Sequence, residues 1–346
     1  MTRTEQTGNS RKTALIIGST GGVGGAVART LAARGWTLRA LNRKPEEAAR
    51  AHAELGPVEW VKGDAMNPAD VIAAAQGVNL IFHGANPPGY RNWKGLALPM
   101  LESTIAAAKA SGAMIAFPGT VYNFGADAGA FVSEDAPQNP KTRKGRIRVA
   151  MENRLREAAE EGTQVLIVRA GDFIGGLSAN NWFAQGMVTP GKKLRRVVYP
   201  GQPDIGHDWA YLPDLGETFV RLIERADELA PFERFHFEGF WFERGIELAE
   251  ATRRAAGNER LPIRRFPWWA IRLASPFVET FREMLEMRYL WRRPLRLDNA
   301  KLVAFLGEEP RTPVETALRD CLIELGCIKR PQVKALAASR KNAATA

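Results

Sequence analysis

A doubly wound parallel α/β sheet is the fold this sequence predicts, with a smaller, partly interleaved region in its second half. Three observations carry that reading. From residue 13 to about residue 175, short apolar runs alternate with stretches of helical spacing, the pattern of repeated strand–helix units. A glycine-rich turn, Gly18-Ser19-Thr20-Gly21-Gly22-Val23-Gly24, directly follows the first apolar run. After residue 175 the alternation gives way to a stretch rich in Gly, Pro and Asn, then to helical and aromatic sequence.

Taken in order, the apolar runs predict strands at Ala14–Gly18, Thr37–Asn42, Val58–Lys62, Leu80–His83, Met114–Phe117 and Gln164–Arg169. Helical spacing predicts helices at Val23–Arg34, Pro45–Glu54, Pro68–Ala75, Leu96–Ser111 and Arg148–Glu161. Pro45 and Pro68 suit the first turn of a helix, and Asn67 is placed to cap the second of these. Gly175–Gly206 reads as loops or a lid, Asp214–Glu228 as a helix and Arg234–Phe237 as a strand. The expected organisation is a nucleotide-binding domain over 13–175, rejoined by 207–240, with a substrate-side region over 176–206 and 241–330. Residues 1–12 and 331–346 are expected to be disordered ends.

The glycine turn points to a diphosphate. Glycines let the backbone approach a pyrophosphate closely, and the following helix offers free N–H groups at the positive end of its dipole.

Composition sets the remaining bounds. Hydrophobic residues make up 45% and charged residues 25% of the 346, so a packed core is expected. No apolar run spans a bilayer, and the polar stretch Met1–Lys12 has no signal-peptide core, so a cytoplasmic protein is expected. Cys321 and Cys327 are expected to be buried free thiols. The net charge of +10 gathers at Lys141–Arg148, Arg195-Arg196, Arg264-Arg265 and Arg288–Arg296. No nucleic-acid-binding motif accompanies it, so nucleic acid is not an expected partner, and an anionic small molecule suits it better. Four histidines without ligand spacing argue against a metal site.

The ordered motifs resemble the extended short-chain dehydrogenase/reductase superfamily, in particular the NAD(P)-dependent epimerase/dehydratase group, over roughly residues 13 to 326. They are Gly18-x-x-Gly21-x-x-Gly24, Gly63-Asp64, His83-Gly84-Ala85, Val121-Tyr122, Val168-Arg169 with Phe173-Ile174-Gly175, and His207-Asp208 with Leu212-x-Asp214-Leu215. Leu297-Asp298-Asn299-Ala300-Lys301 and Leu306-Gly307-x-x-Pro310 complete the set. The resemblance implies a Rossmann-type sheet and an NAD(P) cofactor. Gly18, Thr20, Gly21, Gly22, Val23 and Gly24 would then hold the diphosphate, Asp64 and Ala65 the adenine, and Gly84, Ala85 and Asn86 the path to the nicotinamide. After the second strand stand Asn42, Arg43 and Lys44, two cations where an acid would repel a 2′-phosphate. NADP is therefore the expected cofactor, with NAD the alternative.

The chain departs from the family at the reacting centre. Members that transfer hydride carry a Ser or Thr and a Tyr-x-x-x-Lys pair. Alignment on Val121-Tyr122 puts Pro118 at the Ser position with Thr120 two residues on. Alignment on Glu152 puts Lys144 at the Tyr position and Arg148 at the Lys position. Lys144 and Arg148 are expected to supply positive charge near the reacting oxygen, Arg148 also holding the nicotinamide ribose, with Thr120 and Tyr122 as neighbouring hydroxyls. His207, Asp208, Tyr211 and Asp172 are further titratable candidates with local structural roles. The aromatic-basic segments at 267–273 and 287–293 are expected to pack a substrate pocket or subunit contact rather than a membrane.

The expected function is oxidation or reduction of a carbonyl or alcohol on a small substrate. The alternative is an NADP(H)-binding sensor without chemistry. Relatives in the family suggest a homodimer through the helices near Leu96–Ser111 and Arg148–Glu161.

Overall fold

The computed structural model describes residues 11–87, 92–176 and 180–330. The disordered ends expected from the sequence therefore lie, but for residues 11 and 12, outside the described residues.

The chain begins with β1 (Thr13–Ile17), α1 (Gly22–Ala33), β2 (Thr37–Asn42), α2 (Pro45–Ala51), β3 (Val58–Lys62), α3 (Pro68–Ala74) and β4 (Leu80–His83). Asn67 does cap α3, accepting a hydrogen bond from the Ala69 N–H at 3.1 Å. α4 (Trp93–Ser111), β5 (Met114–Thr120), β6 (Phe131–Val132), α5 (Arg143–Glu160), β7 (Val165–Ala170) and β8 (Asp172–Ile174) follow. A short helical turn at Phe183–Met187 and β9 (Val197–Tyr199) interrupt the stretch read as loops. Then come β10 (His207–Tyr211), α6 (Leu212–Glu224), β11 (Phe232–Phe237), β12 (Phe240–Phe242) and α7 (Glu247–Ala255). The chain closes with β13 (Ile263–Arg265), α8 (Trp268–Ala274), α9 (Glu279–Met287), β14 (Arg296–Leu297), α10 (Ala300–Leu306) and α11 (Val314–Glu324).

Of the boundaries that differ from the sequence expectation, those of β5 and α5 have a clear physical reason. β5 runs on through Pro118 to Thr120. Its pairing with β4 ends at Ala116, so the N–H that proline lacks falls where that ladder has finished. α5 starts five residues early because Thr142 caps it, accepting from the Gly145 N–H at 2.9 Å.

Seven strands form the central sheet in the order β11-β7-β5-β4-β1-β2-β3, all pairs parallel. The order reverses between β1 and β4, and in such a sheet the crevice beyond the strand ends at that point is where ligands bind. One face is covered by α1 and α6, with Leu31, Phe82, Phe219 and Phe235 buried between. The other is covered by α3, α4 and α5, over Ile81, Leu101, Ile115 and Leu155.

The stretch 207–240 is divided. α6 and β11 return to the central unit, whereas β10 joins β8 and β12 in a separate three-stranded sheet. That sheet backs a second core built from Phe183, Trp209, Leu248, Trp268, Trp291 and Leu318. Cys321 and Cys327 are unpaired and buried within it.

Candidate functional site

The glycine turn is closed by contact rather than by flexibility alone. Gly18 has φ +89°, and a Cβ there would lie 2.6 Å from the Gly84 carbonyl carbon. A Cβ on Gly24 would lie 2.2 Å from the Gly18 oxygen, so α1 rests directly on the turn. No side chain fits at Gly18 or Gly24 between β1, α1 and the end of β4, and Gly21, Gly22 and Val23, at the start of α1 where helical N–H groups lack intrahelical partners, line the crevice.

A cleft of about 570 Å³ opens at this switch point. Gly18, Thr20, Gly21, Gly22 and Val23 form one wall, and Asn42, Arg43, Asp64 and Ala65 one end. Gly84, Ala85 and Asn86 continue toward Pro118, Thr120 and Arg148. Thus the residues the sequence assigned to a dinucleotide share one cleft, with two exceptions. Gly24 lies beneath the turn as its packing surface. Lys44 points away and pairs with Glu47 at 3.0 Å in solvent, so it does not face the cleft.

Asp64 shapes its own corner: its Oδ1 accepts from the Met66 N–H at 2.9 Å, and its N–H donates to Asp70 Oδ2 at 2.9 Å. His83 sits at the cleft floor, fully buried. Its Nδ1 lies 2.6 Å from Thr104 Oγ1, and its Nε2 has no hydrogen-bond partner among the described residues. Burial, and then the charge of Arg148, push its pKa down to about 3, so the ring is neutral.

A second cavity, about 170 Å³, adjoins the first. Asn86, Thr120 and Arg148 line both. Its other walls include Tyr122, Asp172, Trp182, Phe266, Thr280 and Met284. The Thr120 hydroxyl oxygen accepts from the Tyr122 N–H at 3.3 Å, which leaves its own hydrogen to donate. Arg148 Nη1 donates to the Pro118 carbonyl at 3.3 Å, and its guanidinium lies 5.2 Å from the Trp93 ring and 5.4 Å from that of Phe117. Arg148 therefore stands at the junction of the two spaces.

Lys144 does not, which corrects the expectation that it faces the reacting oxygen. Its side chain is 1% exposed and lines neither cavity. Its Nζ donates to Glu283 and, at 2.7 Å, to Glu286, both on α9. Arg143 also donates to Glu283 at 2.5 Å. Attraction to two carboxylates turns the ammonium toward α9.

Asp172 and His207, separate candidates in the sequence, are brought together. His207 Nε2 lies 2.8 Å from Asp172 Oδ2, and its ring stacks on Trp291 at 4.1 Å. Asp172 lines the second cavity; His207 backs it. Asp208 is fully buried away from it, and burial followed by Glu238 raises its pKa well above the usual value. Tyr211 is buried in the second core, and burial raises its phenol. Glu152 is held by Arg169 through two hydrogen bonds at 3.0 and 2.5 Å, a buried strut between α5 and β7.

The residues that sequence reasoning missed are cavity walls: Trp93, Asn180, Asn181, Trp182, Gln185, Phe266, Thr280 and Met284. Nothing in their local pattern marks them, since they meet only through the fold. Among the described residues no cluster of His, Cys, Asp and Glu could hold a metal ion, and no helix is long and apolar enough to cross a membrane.

Comparison with known proteins agrees with this geometry. The NmrA-like family domain-containing oxidoreductase notA' of Aspergillus versicolor is 40% identical over 82 residues, 23% of this chain and 23% of that protein. Its counterpart notA of Aspergillus sp. (strain MF297-2) is 40% identical over 80 residues, 22% of this chain and 23% of that one. The chain thus spans about a quarter of the curated relatives it matches. Among solved structures, a UDP-galactose 4-epimerase superposes with TM-score 0.65 at 15% identity, covering 91% of this chain and 98% of that one. MoeE5 in complex with UDP-glucose and NAD gives 0.67 at 16% identity, covering 90% and 98%. A putative epimerase from Burkholderia cenocepacia J2315 gives 0.68 at 18% identity, covering 92% and 98%. At such identities these likenesses establish the fold. The model of the NAD dependent epimerase/dehydratase family matches residues 14–236, well over half of the 346, and by that match the chain belongs to this family.

Proposed function

We propose that the protein binds NADP(H) in the switch-point cleft and oxidises or reduces a carbonyl or alcohol on a small, anionic substrate in the adjoining cavity. The observation that carries this reading is the position of Arg148, which lines both spaces. A cation there can hold the nicotinamide ribose from one side and polarise a substrate oxygen from the other.

The cleft fits the cofactor by two observations: a turn packed so closely that Gly18 and Gly24 have no room for a Cβ, with Gly21, Gly22 and Val23 lining the cleft beside it, and a buried His83 Nε2 at the floor without a partner among the described residues. Arg43, directly after β2 in a Leu41-Asn42-Arg43-Lys44 stretch that holds no acid, favours a 2′-phosphate and so NADP over NAD. When bound, the cofactor supplies the hydride acceptor or donor. Thr120 donates to the substrate oxygen, Tyr122 offers a phenol beside it, and Arg148 stabilises negative charge that develops there. Asp172, with His207 behind it, is positioned to hold the proton that leaves or joins the hydroxyl.

Titration with NADPH and NADH, followed by turnover of a panel of carbonyl compounds, tests the proposal. Binding of neither nucleotide would remove it.

A second reading, an NADP(H) sensor without chemistry, is favoured by one observation. The position at which the family keeps its acid is occupied by Lys144, held by Glu283 and Glu286. That reading expects tight NADPH binding and no oxidation of the bound nucleotide by any compound in the panel.

A further inference from the structure

Trp269, Leu273 and Phe277 recur at every fourth residue, and all three face solvent. They are 75%, 73% and 89% exposed, the highest values among the exposed large apolar side chains described. Four-residue spacing sets them on one side of a helix. α8 carries the first two, and helical turns carry on past its end, the N–H groups of Phe277 and Val278 both donating to the Ala274 carbonyl at 3.1 Å. Arg282 secures that turn by donating to the Pro276 carbonyl at 3.0 Å. The core-facing positions of the same helix, Trp268 and Ile271, are buried in the second core. The outward row is therefore additional to the apolar set that packing requires.

The exposed charge of this stretch is mostly of one sign. Between residues 261 and 300, Arg264, Arg265, Arg272, Arg282, Arg292 and Arg293 are exposed, and Glu279 is the one exposed carboxylate. Arg288 lies over the Trp268 ring at 5.0 Å. Burial, and then the like charges of Arg292 and Arg272, lower its pKa.

An apolar row beside a cationic cluster selects its occupant. A second copy of the chain would set the arginines against their own image across a two-fold axis, like charge on like. An anionic bilayer satisfies both parts, apolar side chains entering the boundary of headgroups and acyl chains while arginines meet lipid phosphates. We propose that the Trp269–Leu273–Phe277 face docks the protein on an anionic phospholipid surface. The inner side of the same segment, through Phe266, Thr280 and Met284, lines the smaller cavity, so docking brings that cavity's outer wall to the lipid. This placement does not depend on the cofactor reading, and its test reads partition rather than turnover.

Flotation with vesicles of phosphatidylcholine alone, and of phosphatidylcholine with phosphatidylglycerol, decides it. The full chain should float with the anionic vesicles at low salt, remain in solution with phosphatidylcholine alone, and detach as salt is raised. Trp269→Ser with Phe277→Ser should lower the partition about tenfold or more, with an unchanged thermal melt, because both side chains are exposed. Arg272→Glu with Arg292→Glu should abolish the preference for anionic vesicles. Protein that stays in solution with anionic vesicles at low salt overturns the proposal. So does a double serine variant that floats like the parent. Light scattering that shows a dimer, made monomeric by Phe277→Ser, would assign the face to a second copy instead.

Discussion

Lys144 Nζ donates to Glu286 Oε2 at 2.7 Å, joining the first turn of α5 to α9. The same α9 presents Thr280 and Met284 to the smaller cavity. Lys144 thus braces a cavity wall while lining neither cavity itself. Lys144→Met should cost about 3 kcal/mol in denaturant unfolding, since removing one partner leaves buried carboxylates with less compensation. NADPH affinity should be unchanged, because Lys144 lines neither cavity.

The same contact has a pH signature. Burial pushes the Glu286 carboxyl up, and the hydrogen bond and charge of Lys144 more than offset that, so it titrates below its ordinary 4.5. Its contribution to stability is present above that ordinary value and is lost as pH falls through the lower folded one. Glu286→Gln should remove this component from a plot of unfolding free energy against pH and leave the neutral-pH fold intact.

Two buried histidines act over a higher range. His83 and His236 both have pKa pushed down from 6.5 to about 3, by burial first and by Arg148 and Arg169 respectively. Unfolded chains bind protons below 6.5 and folded ones do not, so stability is full above that pH and falls on acidification. Each histidine should add a slope approaching about 1.4 kcal/mol per pH unit between pH 6 and 4. Chemical unfolding of His83→Asn should show a shallower decline.

Arg148→Ala should reduce both nucleotide affinity and turnover, because one guanidinium serves both spaces. A charge-assisted hydrogen bond is worth about 1.5–3 kcal/mol, so a loss of roughly ten- to a hundredfold is expected in kcat/KM. Arg148→Lys should restore part of the nucleotide affinity, measured by titration.

Arg43→Asp should invert the nucleotide preference. Removing a phosphate partner and adding a repelling carboxylate should lower the NADPH to NADH affinity ratio by about a hundredfold or more. Lys44→Ala should change it little, since Lys44 pairs with Glu47 away from the cleft.

Much of the central sheet was legible because its strands are short apolar runs bounded by turn residues. The spans of β2, β3 and β4 are those the sequence predicts, and β1 and β7 shift by a single residue. The glycine turn was legible for the same reason: its chemistry is local. What was not legible is contact between distant segments. Lys144 meets Glu283 139 residues on, and Asp172 meets His207 35 residues on. Local pattern carries no record of such meetings. The aromatic segment near residue 268 divided in a way composition cannot show, Trp268 inward and Trp269 outward.

Cys321 and Cys327 are 0% and 1% exposed, and burial raises the pKa of each thiol. With no other cysteine in the chain, alkylating reagents meet a sealed surface until α11 and the turn after it lift from the second core. The speed of thiol modification therefore serves as a built-in clock for opening of the carboxyl-terminal part of the molecule, with no added label.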